Sequence, residues 1–569
     1  MSNKLITIKI GGEAGFGIKV AGATLGKVFL RLGYEIADYT EYPSLIRGGH
    51  NTTELTIGPK IYHVVRPINL LVALNQETFD KHLSILSDDA GIIFDPEKTK
   101  PTTDKFKLYP VPFGKILKEI AGSDLMKNTV ALGATLAVLD GNIEGYLQVL
   151  KEIFGKKSDK IVNANIAAAN AGYSFVKENL QGEFPYKIEP QEVKDQVYLT
   201  GNEAIALGAI AGQCQAYFAY PMTPSTSVLV YLSKHGPKVG MLVRQAEDEI
   251  SVINQAIGAS WAGARSMLGT SGGGFALMSE ALGLAGITET PLVIFVSQRS
   301  GPATGLPTWS EQGDLRFVLH TAQGEFPRII LAPGDQEECF YMTAEAHNLA
   351  QKYQMPVFIL SDKNLSEGGK TVTSFDQSKI AIEHGEVLSE EQVKQAKKYL
   401  RYQVTESGVS PRTLPGTENG LFTANSDEHN EYGYSEEDGE NRIAQVDKRA
   451  RKLETVAKEI PKPVFYGPNN ADLTIVSWGS TKSTILQAME SLKDKSVNFL
   501  HYSYMWPLGT AQFEPLKKAK KIMVIENNST GLFEGIIREN VGRVSEFNFR
   551  KYDGRPFWPH EIVKKILNI

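Results

Sequence analysis

A guanidinium and a hydroxyl mark the stretch of this sequence with the most chemistry to offer. Arg299 comes directly after the apolar run "PLVIFVSQ", and Thr223 follows "QAYFAY" in "AYPMTPSTS", which also carries the hydroxyls of Ser225 and Thr226. Ligands of parallel α/β sheets bind at the carboxyl ends of strands, where both residues would lie. A hydroxyl and a planar, permanently charged guanidinium suit a small carboxylate substrate there. Between them in sequence stand three consecutive acids, Glu247, Asp248 and Glu249, in "QAEDEISVINQAIGASWAGA". The stretch reads as a helix with an acidic first turn and a small-residue face of Ala256, Ala259 and Gly263. Each feature also has a bland explanation. The helix dipole favours acids in a first turn without any function, and an arginine after a strand is commonly solvated or salt-bridged. Their order within one α/β unit is what singles them out.

The elements that must position these residues run from "VYLTGNEAIALGAIAG" to "PVFILSDKNLSEGG", with strand-like segments "QAYFAYP", "ARSMLGTS", "PLVIFVSQR", "RIILAPG" and "PVFILSD". Ahead of them "LITIKI", "YEIADYT", "NLLVALN", "AGIIFD" and "KLYPV" read as strands, and "GIKVAGATLGKVFLRLG" as a helix. Strands alternating with helices imply parallel sheets covered on both faces. The fold class expected is α/β, in three domains with mostly parallel sheets flanked by helices. Residues 1–182 form the first domain, 183–198 a linker, 199–370 the second domain and 463–569 the third. Between the last two, residues 371–462 read as an irregular, exposed connector, a long loop over a site. Its acidic part, "SDEHNEYGYSEEDGENR", holds His429, read as a surface histidine.

The chain has 569 residues, 42% of them hydrophobic, and a formal net charge of -5. That balance gives no support for nucleic-acid binding or for attraction to an anionic membrane. "MSNKLITIKI" reads as a strand and not as a signal peptide, and no apolar run approaches the roughly 18 residues of a membrane span. A cytoplasmic location is expected. The two cysteines, Cys214 and Cys339, stand far apart and read as core thiols. They cannot supply the four thiolates of an iron–sulfur cluster or a structural zinc site. No metal ligand set is expected in this chain.

The opening "KIGGEAGFGIKVAG" has the look of a dinucleotide-binding turn, and Asp38 lies where a ribose-binding acid would belong. The fingerprint needs glycines at relative positions one, three and six. Gly11, Gly12, Gly15 and Gly17 match it in no register. A tight structural turn, or an anion or partner contact at a helix start, accounts for the stretch better than NAD does.

Longer motifs add a resemblance. "YPMTPSTS", "AEDEISVINQAIGASWAGARSMLGTSGGGFALMSEA" and "RSGPATGLPTWSEQGDL" resemble the α subunit of the 2-oxoacid:ferredoxin oxidoreductases. "GGEAGFG" with "YPSLIRGGHN" resembles the γ subunit of the same family, fused here ahead of α as in its 2-oxoglutarate-type branch. "SDEHNEYG", "VDKRARKLE", "SWGSTKS" and "IENN" resemble that branch too. The resemblance implies thiamine-dependent decarboxylation of a 2-oxo acid, transfer of the acyl group to coenzyme A, and passage of electrons to ferredoxin. The GDG motif that binds the diphosphate through Mg2+ is missing here. A separate β subunit is therefore expected to bring Mg2+ and a [4Fe-4S] cluster, in an αβ or (αβ)2 assembly with thiamine diphosphate shared across the interface. The 1–182 unit would then be a γ domain, 199–370 a pyrimidine-binding-type domain and 463–569 a transketolase C-terminal-like domain. By alignment with the family's small-residue run, the catalytic glutamate that holds the aminopyrimidine falls nine residues before Gly258, at Glu249. Thr223 and Arg299 match substrate-binding positions, Arg299 for the 1-carboxylate, and Tyr220 with Pro221 opens the cofactor-lining motif. One departure bears on the substrate. 2-Oxoglutarate users are expected to carry "LPTR", whereas this chain has "LPTW", with Trp309. An indole cannot pair with a second carboxylate, so either a broader 2-oxo acid is used or another basic residue takes over.

Other readings make different demands. A thiamine enzyme without ferredoxin needs a partner lacking cluster cysteines. A non-catalytic scaffold subunit predicts that Glu249→Gln leaves the complex active. An NAD-dependent dehydrogenase requires NAD binding by residues 1–182.

Overall fold

The computed structural model describes residues 5–43, 48–120, 122–180, 182–396 and 398–569. Three sheets organise them, each flanked by helices. The central sheet carries the candidate site. Its order is Tyr504–Trp506, Ile329–Leu331, Pro356–Asp362, Leu292–Gln298, Ser266–Thr270, Ala216–Ala219, Leu242–Gln245, all parallel except the first. Every residue of Leu292–Gln298, Ser266–Thr270 and Ala216–Ala219 is buried. Continuous apolar runs such as "LVIFVSQ" are what a parallel strand covered on both faces requires. The last strand, Leu242–Gln245, is an edge and is largely exposed.

The first sheet is larger than expected and mixed. Lys107–Pro110, Leu86–Phe94, Ile68–Ala73 and Ile6–Glu13 are parallel, and His50–Gly58, Glu35–Glu41, Gly369–Thr373 and Gln196–Thr200 continue the sheet antiparallel. His50–Gly58 escaped the sequence reading because its interior is polar: Thr52, Thr53, Glu54 and Thr56 are all buried. Its Glu54 accepts from Lys9 and Arg66, each at 2.7 Å. Burial would raise this carboxyl, but the two cations override it and hold it down at about 2. The strands Gln196–Thr200 and Gly369–Thr373 flank the second unit in sequence yet pair with each other in the first sheet, which ties the two units together.

The third sheet, Val464–Tyr466, Val497–Tyr502, Leu473–Trp478, Ile522–Glu526, Phe547–Arg550, packs against the central one. Phe275, Leu315, Trp478, Leu500 and Phe533 belong to one apolar cluster spanning both. The stretch between them is less irregular than expected, since Gly439–Glu459 is a helix. Its buried residues are Gln445, Lys448, Arg449, Lys452 and Val456, so its inner face is charged and gives no apolar periodicity to read. Lys448 and Lys452 close on the buried Glu289 at 2.6 and 2.5 Å. His429 is not on the surface. It is fully buried, its ring 4.0 Å from that of Tyr402 and tilted 49° to it, with Nδ1 3.1 Å from the Asp427 carbonyl. The Gly439–Glu459 helix holds this segment in place, since Asn441 Nδ2 donates to the His429 carbonyl at 3.1 Å. Cys214 and Cys339 are both buried.

Candidate active site

Four neighbouring parallel strands deliver the expected residues to one edge. Ala216–Ala219 runs into Tyr220, Pro221 and Thr223; Leu242–Gln245 into the three acids; Ser266–Thr270 into "SGGGF"; Leu292–Gln298 into Arg299. Asn202 fastens the first of these loops, donating from Nδ2 to the Pro224 carbonyl at 2.8 Å and to Ser227 at 2.7 Å. Arg299 is half-buried and donates from Nη1 to the Thr223 carbonyl at 2.9 Å. The sequence-predicted pair thus meets directly, though through the threonine backbone. The Nε of Arg299 is buried without a partner.

The acids separate cleanly. The helix begins at Glu249 and not at Glu247, because Asp248 takes the extended N-cap conformation (φ -162°) and accepts from the Ser251 N–H at 2.8 Å. The three acids therefore do not form an acidic first turn. Glu247 and Asp248 face solvent, and Glu249 is 4% exposed. Oε1 of Glu249 has no hydrogen-bond partner among the described residues. A Cβ on Gly274 would stand 2.6 Å from that oxygen and also collide with the Thr270 hydroxyl, so only glycine leaves the carboxylate its space. A buried acceptor left unsatisfied is rare and calls for an explanation.

Around Arg299 the structure adds residues that sequence reasoning passed over. Asp314 caps the 300–314 loop, its backbone N–H held by Gln298 Oε1 at 2.9 Å. Its carboxylate rests on Gly272, where a Cβ would stand 2.8 Å from Cγ. Burial, reinforced by Glu311, lifts the Asp314 carboxyl to about 6 against the opposing pull of Arg299. Trp309 sits in the same loop, its carbonyl accepting from the Ser300 N–H at 3.3 Å. The guanidinium of Arg555 lies over the indole, 3.9 Å from its centroid. The triple glycine after a strand was a readable signal for a close approach; Asp314 and Arg555 carried none.

The opening glycines are divided between two elements. Gly11 and Gly12 belong to the strand Ile6–Glu13 and pair with Thr52 and Asn51. Gly15 and Gly17 have φ of 93° and 69°, and Gly17 is the N-cap of the helix Ile18–Arg31. Asp38 is half-buried and accepts from the Tyr198 hydroxyl, so it is spent inside the fold. Ser44–Arg47 of "YPSLIRGGHN" lie outside the described residues.

Comparison with known proteins gives the family. Residues 207–448 match the family model "Pyruvate flavodoxin/ferredoxin oxidoreductase, thiamine diP-bdg", and residues 7–175 match "Pyruvate ferredoxin/flavodoxin oxidoreductase". The α subunit of 2-oxoacid:ferredoxin oxidoreductase 2 from Aeropyrum pernix is 31% identical, over 99% of this chain and 98% of its own length. The 2-oxoglutarate synthase subunit KorA of Methanothermobacter thermautotrophicus is 30% identical over 66% of this chain and 99% of its own. The solved 2-oxoglutarate:ferredoxin oxidoreductase from Magnetococcus marinus, with 2-oxoglutarate, coenzyme A and succinyl-CoA bound, superposes with a TM-score of 0.93 at 32% identity over all of both chains. The chain belongs to the 2-oxoacid:ferredoxin oxidoreductase family, as an α subunit with a thiamine-diphosphate-binding domain. Among the described residues no helix is long and apolar enough to cross a membrane, and no group of three or more His, Cys, Asp or Glu could hold a metal ion.

Proposed function

We propose that this chain, joined to a β subunit, oxidatively decarboxylates a 2-oxo acid, with 2-oxoglutarate as the preferred substrate. A 2-oxo acid, coenzyme A and two oxidised ferredoxins give an acyl-CoA, CO2, a proton and two reduced ferredoxins. The buried, unpartnered Glu249 oxygen beside Gly274 carries the reading. It fits the ring N–H that a bound aminopyrimidine presents. When bound, thiamine diphosphate supplies the nucleophilic carbon and the electron sink that decarboxylation needs. Glu249 would hold the pyrimidine nitrogen and favour the tautomer that can take up the thiazolium proton. Tyr220 and Pro221 would line the cofactor. Thr223 and Arg299 would fix the 2-oxo acid by its 1-carboxylate, which sets orientation before the charge is lost.

Half of such a site is missing from this chain. With two cysteines and no GDG motif it has neither the thiolates of a cluster nor the usual Mg2+–diphosphate loop. Both are assigned to the β subunit. Ile250 and Leu277, next to Glu249 and in the glycine-rich segment, are 52% and 54% exposed, and Tyr220 and Leu306 are exposed beside them. Apolar groups concentrated around a site are what a partner covers.

The test is anaerobic, on the co-expressed αβ complex. Coenzyme A-dependent ferredoxin reduction is measured with 2-oxoglutarate, pyruvate, 2-oxobutyrate and branched 2-oxo acids. Glu249→Gln is expected to lower kcat by about 10²- to 10⁴-fold with every acid. Undiminished activity in that variant leaves the chain a scaffold.

A further inference from the structure

Trp309 lies in the loop that follows Arg299, and the structure lays the Arg555 guanidinium over its indole. We propose that Arg555, delivered by the third domain and held on the Trp309 indole, is the specificity residue that receives the distal carboxylate of a dicarboxylic 2-oxo acid. The inference rests on the function proposed above and adds a residue to the same site.

Three observations carry it. The first is proximity. The turn at Gly554 (φ 82°) docks on the loop that follows Arg299, with the Ser310 N–H donating to the Gly554 carbonyl at 2.9 Å. A Cβ on Gly554 would stand 3.1 Å from both the Trp309 Cβ and Leu306 Cδ1, and 3.5 Å from Ser300 Oγ. Arg299 and Arg555 are therefore each the chain neighbour of one member of a contacting pair, Ser300 and Gly554. The second is charge. Neither arginine is within ion-pair distance of a carboxylate among the described residues. The Arg555 guanidinium donates once, from Nη1 to the Asp553 carbonyl at 2.8 Å. A guanidinium has five N–H donors, so most of its capacity is uncommitted. Two guanidiniums without an ion pair, flanking one short loop, match a ligand with two carboxylates. The third is support. The indole under Arg555 holds its plane by cation–π attraction. The Gly554–Arg555 turn is tied down from the other side, because Asn527 Nδ2 donates to the Lys551 and Arg555 carbonyls at 2.7 and 3.1 Å. A tryptophan at position 309 is then a platform for the charge and not a substitute for it.

Steady-state kinetics of the αβ complex with Arg555→Met and Arg555→Lys test this, using 2-oxoglutarate, pyruvate and coenzyme A as the varied substrates. Arg555→Met is expected to raise KM for 2-oxoglutarate by at least tenfold while KM for pyruvate and for coenzyme A stays within twofold. Arg555→Lys should recover part of the loss, since it keeps the charge without the planar fork. Unchanged pyruvate kinetics in the same preparation report that the complex is folded and loaded. An unchanged 2-oxoglutarate KM in Arg555→Met overturns the proposal, and so does an equal rise for pyruvate or for coenzyme A. If the wild-type complex reduces ferredoxin with pyruvate but never with 2-oxoglutarate, the substrate reading itself fails, and this result is separate from any effect of the variant.

Discussion

Two glutamates buried in one part of this protein are treated in opposite ways. Glu289 is 1% exposed and Glu249 is 4% exposed. Glu289 sits between Lys448 at 2.6 Å and Lys452 at 2.5 Å. Burial alone would raise its carboxyl, but the two lysines override that and hold it well below the carboxylate range. Burial in turn brings Lys452 down to about 8. Among the described residues Glu249 has no ion-pair partner, and its Oε1 has no hydrogen-bond partner. The first arrangement is closed and clamps the Gly439–Glu459 helix onto the central domain. The second is open and has room reserved by Gly274. Burial of a charge does not by itself mark function; what separates these two is whether the protein has set cations against the carboxylate.

The comparison is broken most directly by removing each charge in turn. Glu289→Gln leaves two buried ammonium groups facing a neutral amide. Breaking a buried pair in this way costs about 3–5 kcal/mol, and a fall in the melting temperature is expected, read by calorimetry on the purified chain. Glu249→Gln removes a charge that had no partner, so its melting temperature should equal or exceed that of the native chain. The activities should run the other way, with Glu249→Gln inactive and the folded fraction of Glu289→Gln turning over. Similar thermal losses in both variants would mean that Glu249 is a structural charge after all.

Gly274 sharpens the same point at smaller amplitude. Gly274→Ala puts a methyl 2.6 Å from Glu249 Oε1 and 2.8 Å from its Cγ. The carboxylate must shift, and a displacement of about 1 Å at a reacting group can cost roughly 10²-fold. The expected result is a loss of that order in kcat/KM with weaker thiamine diphosphate retention, and overpacking of about 1–3 kcal/mol. Gly273→Ala is the control, because a Cβ there meets nothing nearer than 3.8 Å.

Much of this architecture was readable in the amino-acid sequence where physics writes long signals. "PLVIFVSQ" and "PVFILSD" hold buried strands, and the residues just after the strands are where the proposed site lies. Glu249 was separable from its neighbours by resemblance, and the structure gives the reason, since the N-cap at Asp248 turns Glu249 alone inward. What stayed hidden was polar burial and distance in sequence. The His50–Gly58 strand is threonine-rich inside, and the Gly439–Glu459 helix turns lysines inward to meet one glutamate. Neither pattern alternates in hydropathy, so neither could be recognised. Arg555 and Trp309 meet only because the third sheet docks on the central domain, which no local pattern records.

Asp314 offers the finest test of how an open site is kept ready. Its carboxyl titrates at about 6, raised first by burial and then by Glu311, and it is drawn down by Arg299. Well below pH 6 it is mostly neutral, and on the proposed reading Arg299 is then free to take the substrate's 1-carboxylate. As the pH rises through about 6, Asp314 becomes an anion beside that guanidinium and competes with the substrate. KM for the 2-oxo acid should therefore rise severalfold between pH 5.5 and 7.5 in ~0.1 M salt, where charges this close are not screened out. Asp314→Asn removes the titration, so its KM should be flat over the same range and lower than the native value at pH 7.5. A native profile without a step, or a step that persists in the variant, would show that Arg299 is gated by some other group. The effect is smaller than those at Glu249 and Gly274 because Asp314 modulates a binding charge, whereas they define the one unsatisfied acceptor on which the proposed chemistry turns.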